Sequence, residues 1–368
     1  MRAMKYLTLC LCLAILANGI RSQTQPPKEE VVRVETDLVD VPISVRLANG
    51  SNAGGLKAAN FLVFEDGKRQ EIEGFSATTA PFEVALLLDT SGSTRNDLQL
   101  IQRAAKEFIA SLRLGDRVAI IAFTTKTYAD RRGPAVDLIM KLTDDRAALN
   151  VAINRLQTSF GTPYYDALET VVEQIFSEKP STEFRGRRAL VALTDGVDST
   201  SYADFESAKD VITPANFISY FIKVDTREYF ESQLLGDCES AIRFSSAQIR
   251  RYYKSIKMNA SAEKASRFCE LGEFERLAVS KRLYEIADNE MSQLAKTSGG
   301  TVFPIDDLTD ARNAFRSVAS EIGTKYTLSY YPSNEKRDGS FRRIKVELKG
   351  LPAGSTVKAR EGYTAPKN

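Results

Sequence analysis

Five side chains in three short stretches of the chain are of the kind that holds a hard metal ion. DTSGS carries Asp89, Ser91 and Ser93 at alternate positions, GTP carries Thr162, and TDG carries Asp195. Two carboxylates and three hydroxyls supply oxygen donors alone. That suits Mg²⁺, with Mn²⁺ as a substitute, because Mg²⁺ takes six oxygens at about 2.0–2.1 Å and usually keeps some water. Each residue also has a plainer role. Ser93 suits a helix cap, Thr162 before Pro163 is a standard helix start, and Asp195-Gly196 reads as a turn. The chain has no histidine, which excludes Ser-His-Asp and Cys-His nucleophile systems and imidazole zinc sites. A GxxxxGK[ST] phosphate loop is also missing from the sequence, which argues against ordinary nucleotide hydrolysis.

The elements that must position these residues are legible in the hydrophobic pattern. EVALLL, ending just before Asp89, is apolar on consecutive positions, as a strand covered on both faces is. From Glu83 to Ile305 strands and helices alternate, which predicts an α/β fold with a doubly wound, mostly parallel sheet. The strands are RVAIIAFT, ALVALTD, ISYFIKV and TVFPI, with TKTYAD as a short edge strand before the turn ADRRGP. Among the helices, Leu98, Ile101, Ala105, Phe108, Ile109 and Leu112 recur at helical spacing, as do Leu168, Val171, Val172, Ile175 and Phe176. Further helices are expected at LNVAINRLQT, FESAKDVI, YEIADNEMSQLAKTSGG and TDARNAFRSVASEIG. In such a sheet ligands bind beyond the carboxyl ends of the strands. The DTSGS, GTP and TDG loops therefore converge on one edge, where a threonine can both cap a helix and bind metal.

In this order and placement the residues resemble the metal-ion-dependent adhesion site of von Willebrand factor type A domains, over roughly residues 83–323 apart from one insertion. The resemblance implies Mg²⁺ held by Ser91, Ser93 and Thr162, with Asp89 and Asp195 bound directly or through water. It also implies a coordination position left open for an Asp or Glu of a protein partner, and a coupling of binding to the last helix, Thr309 to Gly323. Asp166 and Asp198 are expected to orient the loops or to be solvated. The flanks, VETDLVDVPISVRL and NFLVFEDGKRQEIEGFS before the unit and YTLSYYP, FRRIKVELKG and TVKAREGYTAP after it, are similar to exported bacterial proteins of the VWFA-related acidobacterial type. Asp66-Gly67 marks a hairpin. Because both flanks leave the face opposite the metal edge, they are expected to meet as one β-sandwich into which the α/β unit is inserted. The expected division is a signal peptide at 1–22, sandwich strands at 23–80 and 325–368, and the type A domain at 81–324 with an insertion at 225–282.

Composition sets the compartment. Arg2 and Lys5, an apolar run from Tyr6 to Ala17 and then small and polar residues read as a secretory signal cleaved near Ser22, too short to span a bilayer. Removing Arg2, Lys5 and Arg21 with it takes the formal charge from +2 to −1, a poor match to nucleic acid. With no later apolar span, the chain is expected in the periplasm or outside the cell, where Cys238 and Cys269 form one disulfide rather than two buried thiols. The insertion that carries them is either a decorated surface loop or a lid and specificity element beside the metal. One of its own acids, Asp225 or Glu228, is an alternative occupant of the metal. The function expected is an exported, metal-dependent, non-enzymatic protein-binding module. The alternatives are a structural envelope protein without metal-dependent binding, and a Mg²⁺-dependent hydrolase, for which no general base or substrate pocket is visible.

Overall fold

A computed structural model describes residues 38–76, 80–92, 97–128, 131–239, 241–257 and 268–367. The expected signal peptide and Ser93 lie outside the described residues. Four strands come first: β1 (Val39–Arg46), β2 (Phe61–Glu65), β3 (Lys68–Gln70) and β4 (Gly74–Ser76). The alternating unit then runs through β5 (Glu83–Leu88), α1 (Leu98–Ser111), β6 (Arg117–Tyr128), β7 (Arg131–Thr143), α2 (Arg146–Asn154) and α3 (Tyr164–Thr170). It continues with β8 (Arg188–Thr194), α4 (Phe205–Ala215), β9 (Ile218–Val224), α5 (Arg227–Leu234) and α6 (Ser246–Ser255). A long helix α7 (Glu273–Ser298), β10 (Val302–Ile305) and α8 (Ala311–Gly323) complete it. β11 (Tyr326–Tyr330), β12 (Phe341–Leu348), β13 (Thr356–Ala359) and β14 (Gly362–Thr364) end the chain.

The central sheet has the order β10-β9-β8-β5-β6-β7, parallel except for β7. Its consecutive apolar residues divide between two cores. Val84, Leu86 and Leu88 of β5 pack with residues of α1, α2 and α8, while Ala85 and Leu87 pack with residues of α3, α4 and α7. A strand buried on both faces cannot alternate polar and apolar residues, which accounts for the EVALLL run.

Two expectations need correction. TKTYAD is not a separate short edge strand. It continues β6 to Tyr128, and the edge is the antiparallel β7. The polar turn residues and Pro134 conceal that strand in the sequence, yet an edge position tolerates proline because one side of its backbone needs no partner. Behind Pro134, Val136, Leu138 and Leu142 pack on one core and Ile139 and Met140 on the other. The insertion boundary at 282 also falls inside α7, whose first half (Val279, Leu283) packs on the insertion while its second half (Met291, Leu294) packs on the sheet.

Strands from before and after the α/β unit pair with one another. One four-stranded sheet has the order β13-β1-β11-β4 and the other β14-β12-β2-β3. Both contribute to a shared cluster that includes Val41, Ile43, Val63, Leu328 and Val346. Asp66 and Gly67 take positive φ (47° and 82°) at the β2–β3 turn, as a two-residue hairpin requires.

Buried cations mark the seam between the α/β unit and these sheets. Arg187 donates to the carbonyls of Pro81 (3.1 Å) and Lys325 (3.0 Å), and its guanidinium lies 4.2 Å from the Phe82 ring centre. Lys325, wholly buried, donates to Gly299 O at 2.8 Å and lies 3.3 Å from Glu321. Burial pulls its ammonium down from 10.5 to about 8, against the pull of Glu321. The folded chain therefore binds fewer protons than the unfolded chain between these values, and stability should rise with pH across that window. Urea denaturation from about pH 8 to 10 should show a gain on the order of 2 kcal/mol that is absent in Lys325→Met.

Candidate metal centre

The site is built where β5 and β8 end side by side. Asp89 N donates to Leu193 O at 3.0 Å, which extends the parallel pairing one step and brings Asp89 beside Thr194. Asp89 Oδ1 accepts from Ser91 N (2.9 Å) and Oδ2 from the Thr194 hydroxyl (2.7 Å). The Thr194 oxygen also accepts from Gly196 N at 2.9 Å. Asp195 Oδ1 accepts from Val197 N (2.9 Å), and Oδ2 accepts from the Thr226 hydroxyl (2.5 Å), itself 2.8 Å from the Tyr284 hydroxyl. Gly196 turns the chain at φ +71°, and a Cβ there would stand 2.9 Å from Met291 Cε, so this turn needs glycine.

Ser91, Thr162 and Asp195 line one cavity of about 510 Å³, and Asp89 is tied to its wall through Ser91 and Thr194. Burial raises the Asp89 carboxyl above its usual value, against the hydrogen bonds from Ser91 and Thr194. Burial first, and then the charge of Asp89, push Asp195 up to about 7. Among the described residues, Asp195 pairs with no lysine or arginine, and no three acidic, cysteine or histidine side chains gather as a metal cluster. Two desolvated carboxylates that repel each other, flanked by hydroxyls and no soft donor, fit a hard divalent cation. Neither Asp225 nor Glu228 lines this cavity. Both are exposed.

The Thr162 loop and the loop after β8 hold each other reciprocally. Thr162 N donates to Ser199 Oγ (2.8 Å), while Ser199 N donates to Thr162 O (3.0 Å). Asp198 is completely buried, not solvated. Its Oδ2 accepts from Tyr164 N (3.0 Å) and Tyr165 N (3.4 Å) at the start of α3, and the Ser201 hydroxyl donates to the same carboxylate. Asp166 returns the grip, accepting from Ala203 N at 2.9 Å and Tyr202 N at 3.0 Å. Both acids therefore orient the loops around Thr162. Arg251 of the insertion helix α6 reaches this clamp, 3.7 Å from Asp198 and 4.4 Å from the Tyr165 ring centre. The Tyr165 hydroxyl donates to Glu290 of α7 at 2.5 Å.

Thr194, Thr226, Tyr284 and Arg251 escape the sequence reading. Thr226 stands just past the carboxyl end of β9, so the rule that picks out Asp89 and Asp195 also points to it. Tyr284 and Arg251 carry no such signal, because the packing of the insertion alone brings them here.

Residues 84–197 match the family model of the von Willebrand factor type A domain. This part of the α/β unit, from β5 to the loop after β8, is thus similar to a type A domain. A solved von Willebrand factor type A protein from Catenulispora acidiphila is similar at 14% identity and a TM-score of 0.42, over 91% of this chain and 75% of that one. Proximal thread matrix protein 1 from the mussel byssus is similar at 14% identity and a TM-score of 0.40, over 75% of this chain and 51% of that one. This chain thus spans about half the length of the mussel protein. No curated protein matches it. Cys238 and Cys269 form a disulfide with Cα atoms 5.2 Å apart. No helix among the described residues is long and apolar enough to cross a membrane.

The clamp around Asp198 makes a quantitative expectation. Asp198→Ala leaves the amides at the start of α3 without their acceptor, and should lower the unfolding free energy by about 3 kcal/mol in urea denaturation.

Proposed function

We propose that the chain is an exported, non-enzymatic protein-binding module of the adhesion type that recognises an Asp or Glu of its partner through Mg²⁺, replaceable by Mn²⁺. Asp89, Ser91, Ser93, Thr162 and Asp195 would hold the ion. The observation that carries this reading is the burial of both Asp89 and Asp195, the latter lining one cavity together with Ser91 and Thr162. The ion would supply the positive charge that two neighbouring anions need and a position for the partner's carboxylate.

The chain's own residues prepare that position. Ser91 N and Thr194 fix Asp89, and Val197 N and Thr226 fix Asp195, so neither carboxylate must be ordered when the ion arrives. Surrounding apolar side chains lower the local dielectric, which strengthens the attraction between a cation and an incoming carboxylate. In this reading the flanking strands form a single β-sandwich that carries the type A domain as an insertion. Export to the periplasm or the cell exterior is supported by the Cys238–Cys269 bridge and by the signal-like residues 1–22.

Calorimetric titration with Mg²⁺ and Mn²⁺ should show one site in the unmodified chain and none in Asp89→Ala. Arg251→Met, which loosens the clamp behind Thr162, should weaken the metal about threefold to tenfold while Arg251→Lys restores part of it. Capture from an extract of the source cells should yield a partner that EDTA releases. A chain that binds no metal would instead be a structural protein that uses these oxygens as caps and turns.

A further inference from the structure

The insertion changes the shape of the candidate site. Without it, the strand ends would present an open edge; with it, the edge becomes one wall of the 510 Å³ cavity, and Tyr229, Phe230, Ile242, Arg243, Ser245 and Gln248 supply much of the other. That size lies in the range of sites that enclose a few groups of a ligand. The far wall is firm. Leu234, Phe244, Ile249, Tyr253 and Phe268 form a buried cluster with Leu283 of α7, and the Cys238–Cys269 bridge closes it. Arg276, also buried, donates to the carbonyls of Leu234 (3.0 Å) and Leu271 (3.0 Å).

On this firm wall two large apolar side chains stay exposed inside the cavity, Tyr229 at 46% and Ile242 at 38%. Next to Ile242, the exposed Arg243 also lines the cavity and makes no hydrogen bond or ion pair among the described residues. The cavity therefore carries the acidic, hydroxyl-rich metal end, an apolar strip and an unpartnered guanidinium. A guanidinium binds carboxylate in preference to neutral groups and in a fixed fork geometry.

We propose that this cleft takes a linear acidic segment of a partner protein at two points. One acidic side chain enters at Ser91, Thr162 and Asp195, an apolar side chain lies on Tyr229 and Ile242, and a second carboxylate pairs with Arg243. The inference rests on the metal-dependent reading above and adds the partner's shape and its second charge. A folded partner offering a broad, flat face fits poorly, because the insertion wall stands beside the strand ends.

A random linear heptapeptide library displayed on phage, selected on the full chain in Mg²⁺ and eluted with EDTA, tests this. Enriched peptides should carry two acidic residues with an apolar residue between them. They should lose about tenfold or more in affinity when either acid is replaced or when the chain carries Arg243→Ala, a substitution at an exposed side chain. Enriched peptides with a single acid, bound equally by the unmodified chain and Arg243→Ala, would overturn the proposal. So would a chain that binds Mn²⁺ by calorimetry yet enriches no EDTA-released peptide, the result expected if the partner offers a folded face. A chain that binds neither metal nor peptide would remove the metal-dependent reading itself, and this inference with it.

Discussion

Two carboxylates buried next to each other at the end of a parallel sheet are the constraint around which this site is arranged. Burial penalises each anion, and the charge of Asp89 penalises Asp195 further. Their cost is offset only in part by donors from Ser91, Val197, Thr194 and Thr226. In the proposed reading a cation would offset what remains of that cost, and the surrounding loops hold the pair ready for it.

That readiness is distributed. The loop before α3 and the loop after β8 exchange hydrogen bonds in both directions through Ser199, Asp198 and Asp166, so neither loop can shift alone. Arg251 extends the arrangement into the insertion, and Tyr284 extends it into α7 through Thr226. Helix α7 is common ground, since it packs on the central sheet with one half and on the insertion with the other. The insertion is thus a second storey built on the same floor joist, not a loop draped over the domain.

The sequence makes the central strands and the three polar loops legible for one reason: both follow from local rules. EVALLL and ALVAL are apolar on consecutive positions because both sheet faces are covered, and Asp89 and Asp195 stand immediately past them. The hairpin at Asp66-Gly67 is equally local, since positive φ at both positions selects those residue types. What stays hidden depends on distant contacts. β7 looks like a turn because of Gly133 and Pro134 until its pairing with β6 is known. The insertion looks separable at residue 282 until one sees that a single helix crosses that point. Arg251 and Arg243 look like ordinary surface charge on the polar side of the insertion. Only the fold brings one against Asp198 and sets the other on the cavity wall.

The pairing of β4 with β11 has a mechanical meaning. Thr327, Leu328 and Ser329 sit opposite Ser76, Phe75 and Gly74, so the strands leading into and out of the α/β unit are hydrogen-bonded neighbours about 4.8 Å apart. Tension applied at the two ends of the described chain is carried first across β1 and its partners β13 and β11, and then across β11 and β4, before it reaches anything between Glu83 and Gly323. The α/β unit hangs from that ladder as a shunted loop, slack while the ladder holds. A binding site placed there would keep its geometry under a load that strains the rest of the molecule.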